Sequence, residues 1–488
     1  MSQPTNRRDF LVTASAAVVV ATGSLVACGG SIAEASEFKY GIASGDPLTD
    51  RVVLWTHAKV PNSTTPVNLT WQISADDKFA VLVNSGKLMT AGDTSFTAKV
   101  DATGLTAGST YFYRFMDEAG VISPVGTTRT LPAAGVTSVK FAVFSCALYS
   151  EGFFNAYDAA AKSDAQYAVH LGDYLYEYGS EPAKFGNKDA VTLGRVTVPA
   201  NDMVSLDDYR TRYALYRSDM SLQALHAKMP WTTRKSIAAR VHHEWMPIRT
   251  PDASNLLKIY RRFDFGNLFS LHMVDTRIEG RDQQYDNFGD TDGGIGRYVT
   301  GLTTGTGAGQ PGHHGALTPT QAGLLNPSVN PCLPYNLDSW DGYPSNREAV
   351  LQTVKAQGKK LVALSGDSHN AWFTNLTTLT GEKVGVEFAT SSVTAPGFES
   401  FGLGALASSL DGSVLTAQLG NAVIGAGLGL IDDLNYSETN LRGYLQMTIT
   451  AAQVKGEFVF VSTVKSRTYT SVVGKTITVP ALGAVTYA

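Results

Sequence analysis

Four residues in this chain combine metal-ligating chemistry with positions that would hold them still. Cys146 follows the apolar run 139–144, and Asp173 follows 167–171 and Gly172. Asp367 and His369 follow 361–365 and Gly366. A carboxylate can bridge two cations, and a Gly-Asp-x-His string offers one oxygen and one imidazole two residues apart. Two such cations would neutralise a phosphate ester and deprotonate the attacking water. Taken alone, a strand-end Asp is ordinarily a helix cap or a turn residue. Three strand ends that all deliver ligand types have no such explanation, because caps have no reason to cluster.

The elements that must position these residues begin at 138, where apolar strands alternate with helices. Ser150 is the expected N-cap of the first helix, with Phe154, Tyr157 and Ala161 on one face. Ser345-Asn346-Arg347-Glu348 reads as a capping box whose helix closes at Gly358. Three strands thus bring their carboxyl ends, and the ligand residues, to one sheet edge, where α/β proteins place chemistry. The stretch 444–479 alternates as terminal strands. Before 138 the pattern differs: Leu69, Trp71 and Ile73, then Tyr111, Tyr113 and Phe115, alternate with polar neighbours between turn clusters. Residues 37–132 therefore read as a β-sandwich, and 105–111 resembles the tyrosine corner of a fibronectin type III module. Nothing in that sandwich looks catalytic.

Composition narrows the function further. The 488 residues carry a net charge of −4, which offers no general grip on nucleic acid. Apolar residues make up 43%, enough for a sizeable core, and charged residues only 17%. Three cysteines, Cys28, Cys146 and Cys332, cannot build a disulfide framework. Asn6-Arg7-Arg8-Asp9-Phe10-Leu11 and the mild apolar run after it predict twin-arginine export and a signal peptide over 1–27. Leu25-Val26-Ala27-Cys28-Gly29 resembles a lipobox, so Cys28 is the expected lipid anchor; cleavage after Ala33-Glu34-Ala35 is the alternative. A periplasmic or cell-surface location follows. His242-His243-Glu244, His313-His314 and Cys332 read as structural or loop residues, and the run 403–431 as an insertion helix or lid.

Longer strings carry a family resemblance. Ser44-Gly45-Asp46-Pro47, Phe144-Ser145-Cys146 and His170-Leu171-Gly172-Asp173-Tyr174-Leu175-Tyr176-Glu177-Tyr178 resemble the PhoD-like alkaline phosphatase/phosphodiesterases. So do Glu244-Trp245-Met246-Pro247, Asp275-Thr276-Arg277, Trp340-Asp341-Gly342-Tyr343-Pro344 and Gly366-Asp367-Ser368-His369-Asn370-Ala371-Trp372, in family order. The resemblance implies an α/β metallophosphoesterase sandwich over 138–480, behind the fibronectin III/Ig-like β-sandwich. It implies Fe(3+) together with Ca(2+). The positions matching iron ligands are Cys146, Asp173, Tyr176, Asp367 and His369, with Asp173 as the bridging carboxylate. Thiolate and tyrosinate donors suit ferric iron. Arg277 either helps to hold substrate phosphate or forms a surface ion pair.

Two blocks of the family pattern are missing. Pro230-Trp231 runs directly into Thr232-Thr233-Arg234-Lys235, without the strand and loop that supply calcium ligands. A second gap follows Leu325, where the family continues a helix and a core strand. The expectation is an exported monomeric phosphoesterase that hydrolyses phosphomonoesters and phosphodiesters with metal-activated hydroxide. The alternative is a catalytically impaired surface protein that binds phosphate esters. A metal-free serine hydrolase using Ser368 is a third reading, but the chain has no Gly-x-Ser-x-Gly elbow.

Overall fold

The fold is that of a computed structural model, which describes residues 35–233, 239–274, 344–378, 380–401, 434–481 and 486–487. Arg277, Cys28, the His313-His314 pair, Cys332, the run 403–431 and the gap after Leu325 lie outside these residues.

The N-terminal strands are β1 (Ile42–Gly45), β2 (Arg51–His57), β3 (Val67–Ser74), β4 (Leu82–Thr90), β5 (Thr97–Thr103), β6 (Thr110–Asp117) and β7 (Gly126–Arg129). In β3 the residues Val67, Leu69, Trp71 and Ile73 point inward and their neighbours outward, the period-two pattern of a half-buried strand. Strands β4-β3-β6-β7 form one antiparallel sheet. It packs on β1 and β2 through Ile42, Val52, Leu54, Trp71, Tyr113 and Phe115. Tyr111 closes the corner, its hydroxyl accepting the Thr106 N–H at 2.8 Å.

The following strands and helices are β8 (Ser138–Phe144), α1 (Asn155–Ala161), β9 (Tyr167–His170), α2 (Ala190–Leu193), α3 (Leu206–Arg217) and α4 (Met220–Lys228). Next come β10 (Trp231–Thr233), α5 (Ala239–Trp245), the hairpin β11 (Arg261–Phe265) and β12 (Phe269–Met273), and α6 (Pro344–Ala356). The chain continues with β13 (Leu361–Ser365), β14 (Ala371–Thr377), β15 (Lys383–Ala389), β16 (Leu434–Glu438), β17 (Arg442–Thr450), β18 (Gln453–Val461), β19 (Ser471–Pro480) and β20 (Thr486–Tyr487).

The large sheet has ten strands in the order β20-β19-β18-β17-β8-β9-β10-β1-β2-β5. Pairing of β1 with β10 carries it from the N-terminal stretch into the remainder of the chain. The small sheet has the order β13-β15-β14-β16. Val139, Phe141 and Val143 of β8 face the small sheet, meeting Phe373 and Phe388 in one core. Ala142 and Phe144 face the other way, onto α1, α3, α4 and α5. A strand covered on both faces reads as an unbroken apolar run, which is why 141–144 shows no alternation, while Lys140 nearer the strand's start is only half-buried. Helix α6 packs against β15 on the outer side of the small sheet. The layers are thus helices, sheet, sheet, helix.

Two expected caps are corrected. Ser150 lies in a short helical turn, Tyr149–Glu151, while α1 starts at Asn155 with Phe154 at its N-cap and no side-chain cap. Ser345 lies inside α6, which begins one residue earlier at Pro344, a residue suited to the first turn because it lacks an N–H to satisfy. The single sheet edge expected for the ligand residues is also corrected. Cys146 and Asp173 end strands of the large sheet, whereas Asp367 and His369 follow β13 of the small one.

Candidate metal centre

Parallel pairing of β8 with β9, Phe144 opposite His170, brings Cys146 and Asp173 to the same end of the large sheet. Their turns are tied together: the Cys146 N–H donates to Gly172 O at 3.2 Å and the Ala147 N–H to Asp173 O at 2.9 Å. From the facing sheet, the segment after β15 completes the enclosure, with the Ala395 N–H donating to Cys146 O at 3.3 Å. The Cys146 sulfur, an Asp173 oxygen and a His369 ring nitrogen all lie within 4.8 Å of one another. Cys146 Sγ is 3.7 Å from Asp173 Oδ2, and the Tyr176 hydroxyl is 3.1 Å from His369 Nε2. Asp367 is exposed and stands outside this tight group, yet it is close enough for its charge to act on Cys146 and His369.

Backbone conformation marks the same residues. Cys146 (φ 60°), Asp173 (47°), Asp367 (70°) and His369 (63°) are all left-handed. A non-glycine residue there costs about 1 kcal/mol or more, and such residues persist where the surroundings over-determine them, as at ligand sites.

Protonation follows from the contacts. His369 Nδ1 lies 2.7 Å from Pro396 O. A carbonyl only accepts, so Nδ1 carries the proton and Nε2 presents its lone pair toward Tyr176. Burial keeps this imidazole below the usual histidine range and therefore neutral at pH 7. Burial, followed by the nearby Asp173 charge, pushes the Cys146 thiol up. Tyr176 is pushed well above the usual phenol range by burial, then by Cys146 and Asp173. Without a cation the cluster therefore holds protons that a cation would displace.

Three positioning groups had not been singled out in the sequence. Arg212, buried on α3, donates to the carbonyls of Tyr176, Tyr178 (3.0 Å) and Val198 (2.9 Å), pinning the backbone that carries the phenol. Its signal was an arginine beside Tyr213 and Tyr216, on a helix whose buried side is aromatic. The Pro396 carbonyl carries no side-chain signal at all. Phe185 stacks on His369, ring centroids 6.0 Å apart. His242 and His243 serve the helix layer, His242 meeting the Tyr213 hydroxyl at 3.1 Å and His243 the Thr250 hydroxyl at 3.0 Å. Glu244 pairs with Arg210 at 2.8 Å.

Comparison with known proteins agrees with this geometry. The profile of the family described as PhoD-like phosphatase matches residues 141–234 and 231–458. That of the PhoD-like phosphatase N-terminal domain matches 25–132. Alkaline phosphatase D of Bacillus subtilis (strain 168) is 34% identical over 418 residues, covering 74% of this chain and 70% of that protein. A solved structure described as "Structure of PhoD" is similar with a TM-score of 0.71 at 26% identity, covering 91% of this chain and 90% of that one. Profile, relative and fold converge: the chain belongs to the PhoD-like phosphatase family.

Proposed function

We propose that this phosphoesterase hydrolyses phosphomonoesters and phosphodiesters at a cation held by Cys146, Asp173, His369 and Tyr176. The observation that carries the reading is the convergence of three left-handed ligand residues into one group within 4.8 Å. The donors fit a cation of high charge: a thiol and a phenol that must lose protons, a carboxylate, and an imidazole with its lone pair already aimed inward. Iron is the reading these donors support. When bound, such an ion supplies Lewis acidity and lowers the pKa of water. The chain's own residues do the rest. Asp173 supplies an anionic oxygen, His369 is held in one tautomer by Pro396, and Arg212 fixes the Tyr176 backbone. Asp367 adds negative charge at the rim, and Arg277 is the proposed contact for substrate phosphate. Cys146→Ala should abolish iron retention and turnover of p-nitrophenyl phosphate together. Full iron content in that variant would sink the assignment.

The family profile breaks at 231–234, where the first block is missing, and this favours a second reading. Among the described residues the Cys146 group is the single cluster of this kind, so the calcium expected from the resemblance has no second cluster there. In this reading the chain binds phosphate esters and turns them over slowly. A chain with both gaps refilled from a relative should then be at least ~10²-fold faster, the effect of a lost transition-state donor. Equal rates and equal calcium response would remove the second reading.

We also place the protein outside the cytoplasm, exported by the twin-arginine route and anchored to the membrane through Cys28. The N-terminal strands are read as fibronectin III-like on the strength of the Tyr111 corner. Release of Cys28→Ala from the membrane fraction tests the anchor; wild-type protein that is already soluble would refute it.

A further inference from the structure

We propose that Ser145 is a positioning residue that latches the two sheets together at the metal centre, an inference that rests on the metal-holding reading above. Ser145 joins β8 to Cys146 and is buried. Its Oγ lies 2.8 Å from Cys146 Sγ and accepts the Asp367 N–H at 3.2 Å. One hydroxyl therefore touches the sulfur at the end of the large sheet and the amide that opens the Asp367–His369 turn of the small one. Its carbonyl accepts the Val393 N–H at 2.9 Å, so the backbone beneath it is held as well.

The partner surface is cut to fit. A Cβ on Gly366 would stand 2.1 Å from Ser145 Oγ and 2.4 Å from Ser145 Cβ. Gly366 has no left-handed φ, so close approach, and not turn geometry, is what requires glycine there. The glycine of Gly-Asp-x-His is thus the socket for the serine, and the pair sets how far Cys146 stands from the turn carrying Asp367 and His369. Groups that orient ligands from behind typically change metal affinity ~10–100-fold when removed.

Three variants of the full mature chain test this, with cobalt(II) as the titrant and its visible absorption as the readout. Ser145→Ala should speed amide exchange at Asp367 at least tenfold in the metal-free protein, weaken cobalt binding ~10–100-fold, and leave melting nearly unchanged. Gly366→Ala should weaken binding at least as much and lower melting as well. The swap S145G/G366A relieves the clash, so melting should recover while affinity stays at the Ser145→Ala level. Wild-type cobalt affinity in Ser145→Ala overturns the proposal, whether or not Asp367 exchange quickens. Recovery of full affinity in the swap also overturns it, because space and not the hydroxyl would then be what matters. A wild-type chain that binds no cobalt defeats the metal reading itself, and the exchange experiment, which needs no metal, tells that failure apart from failure of the latch.

Discussion

Asp46 and Asp173 are local twins set in different company. Each follows a buried strand, β1 or β9, and each has a left-handed backbone, φ 43° and 47°. Asp46 Oδ2 accepts from Arg261 Nε at 3.0 Å and from the Arg249 N–H at 2.7 Å, and Arg249 Nε in turn donates to Asp101 at 2.8 Å. Asp173 faces the Cys146 thiol and the Tyr176 phenol, both of which it pushes toward the protonated form. A strand-end aspartate in a strained turn therefore does not by itself report a metal. Arginine neighbours make it a structural joint; acidic, proton-bearing neighbours make it a candidate for a cation.

The sharpest way to break this comparison is to neutralise both. Asp173→Asn should fail to retain iron, lose at least ~10³-fold of activity and melt like metal-free wild type, since it removes a cation ligand and transition-state support. Asp46→Asn should retain metal as wild type does but lose about 3 kcal/mol of stability, because the Arg261 guanidinium, 8% exposed, would be left buried without its partner. Iron analysis with denaturant melts decides; if the two variants exchanged phenotypes, the distinction would collapse.

Acid probes the layer behind the candidate metal centre. His170 Nε2 meets the Tyr157 hydroxyl at 2.9 Å, and burial holds this imidazole down at about 3; His226, also buried, is held well below the usual range. The folded state refuses protons that the unfolded chain accepts below about pH 6.5. Stability contributed here is therefore complete above that pH and is lost as pH falls toward 3, by about 2 kcal/mol for each such group at pH 5. His170→Asn should flatten the acid side of the melting profile accordingly. An unchanged slope between pH 7 and 5 would refute the burial effect.

The smallest expected effect lies at the rim. Asp367→Gly relieves a left-handed φ of 70° on an exposed side chain, and should raise metal-free stability by about 1 kcal/mol while weakening metal retention. A loss of stability would mean that the Asp367 side chain supports the turn more than the conformation costs.

Much of the site was legible because short strings put ligand types directly after apolar runs: Cys146, Asp173 and His369 were read from position alone. The tyrosine corner at Tyr111 was legible for a similar reason, since turn and strand are adjacent in sequence. Assignment to two sheets was not, because a strand's own residues do not name its partners: β8 pairs with β9 and β17, whereas β13 pairs with β15. The left-handed turns were hidden because Cys and His do not advertise them as glycine does. The serine caps failed because Ser150 and Ser345 satisfy a local pattern that the chain, bound by its tertiary contacts, places elsewhere. Pro396 acts through its backbone and could not have been found by residue type.

The shared ten-stranded sheet bears on how this protein can be inherited. Gly45 pairs with Trp231 inside the sheet, seven strands from one edge and three from the other, and Trp55 Nε1 of β2 donates to the Glu244 carbonyl at 2.8 Å, so neither half of the seam ends at a free surface. Cutting the gene near residue 135 would leave raw strand edges on both products, β1 on one and β10 on the other, each a template for promiscuous pairing. Trp245, which packs against Tyr40, Trp55 and His57, would lose that shelter at the same stroke. Shuffling the N-terminal segment between relatives should therefore yield a folded product only when both sides of the seam travel together, unlike a string of beads whose members can be traded.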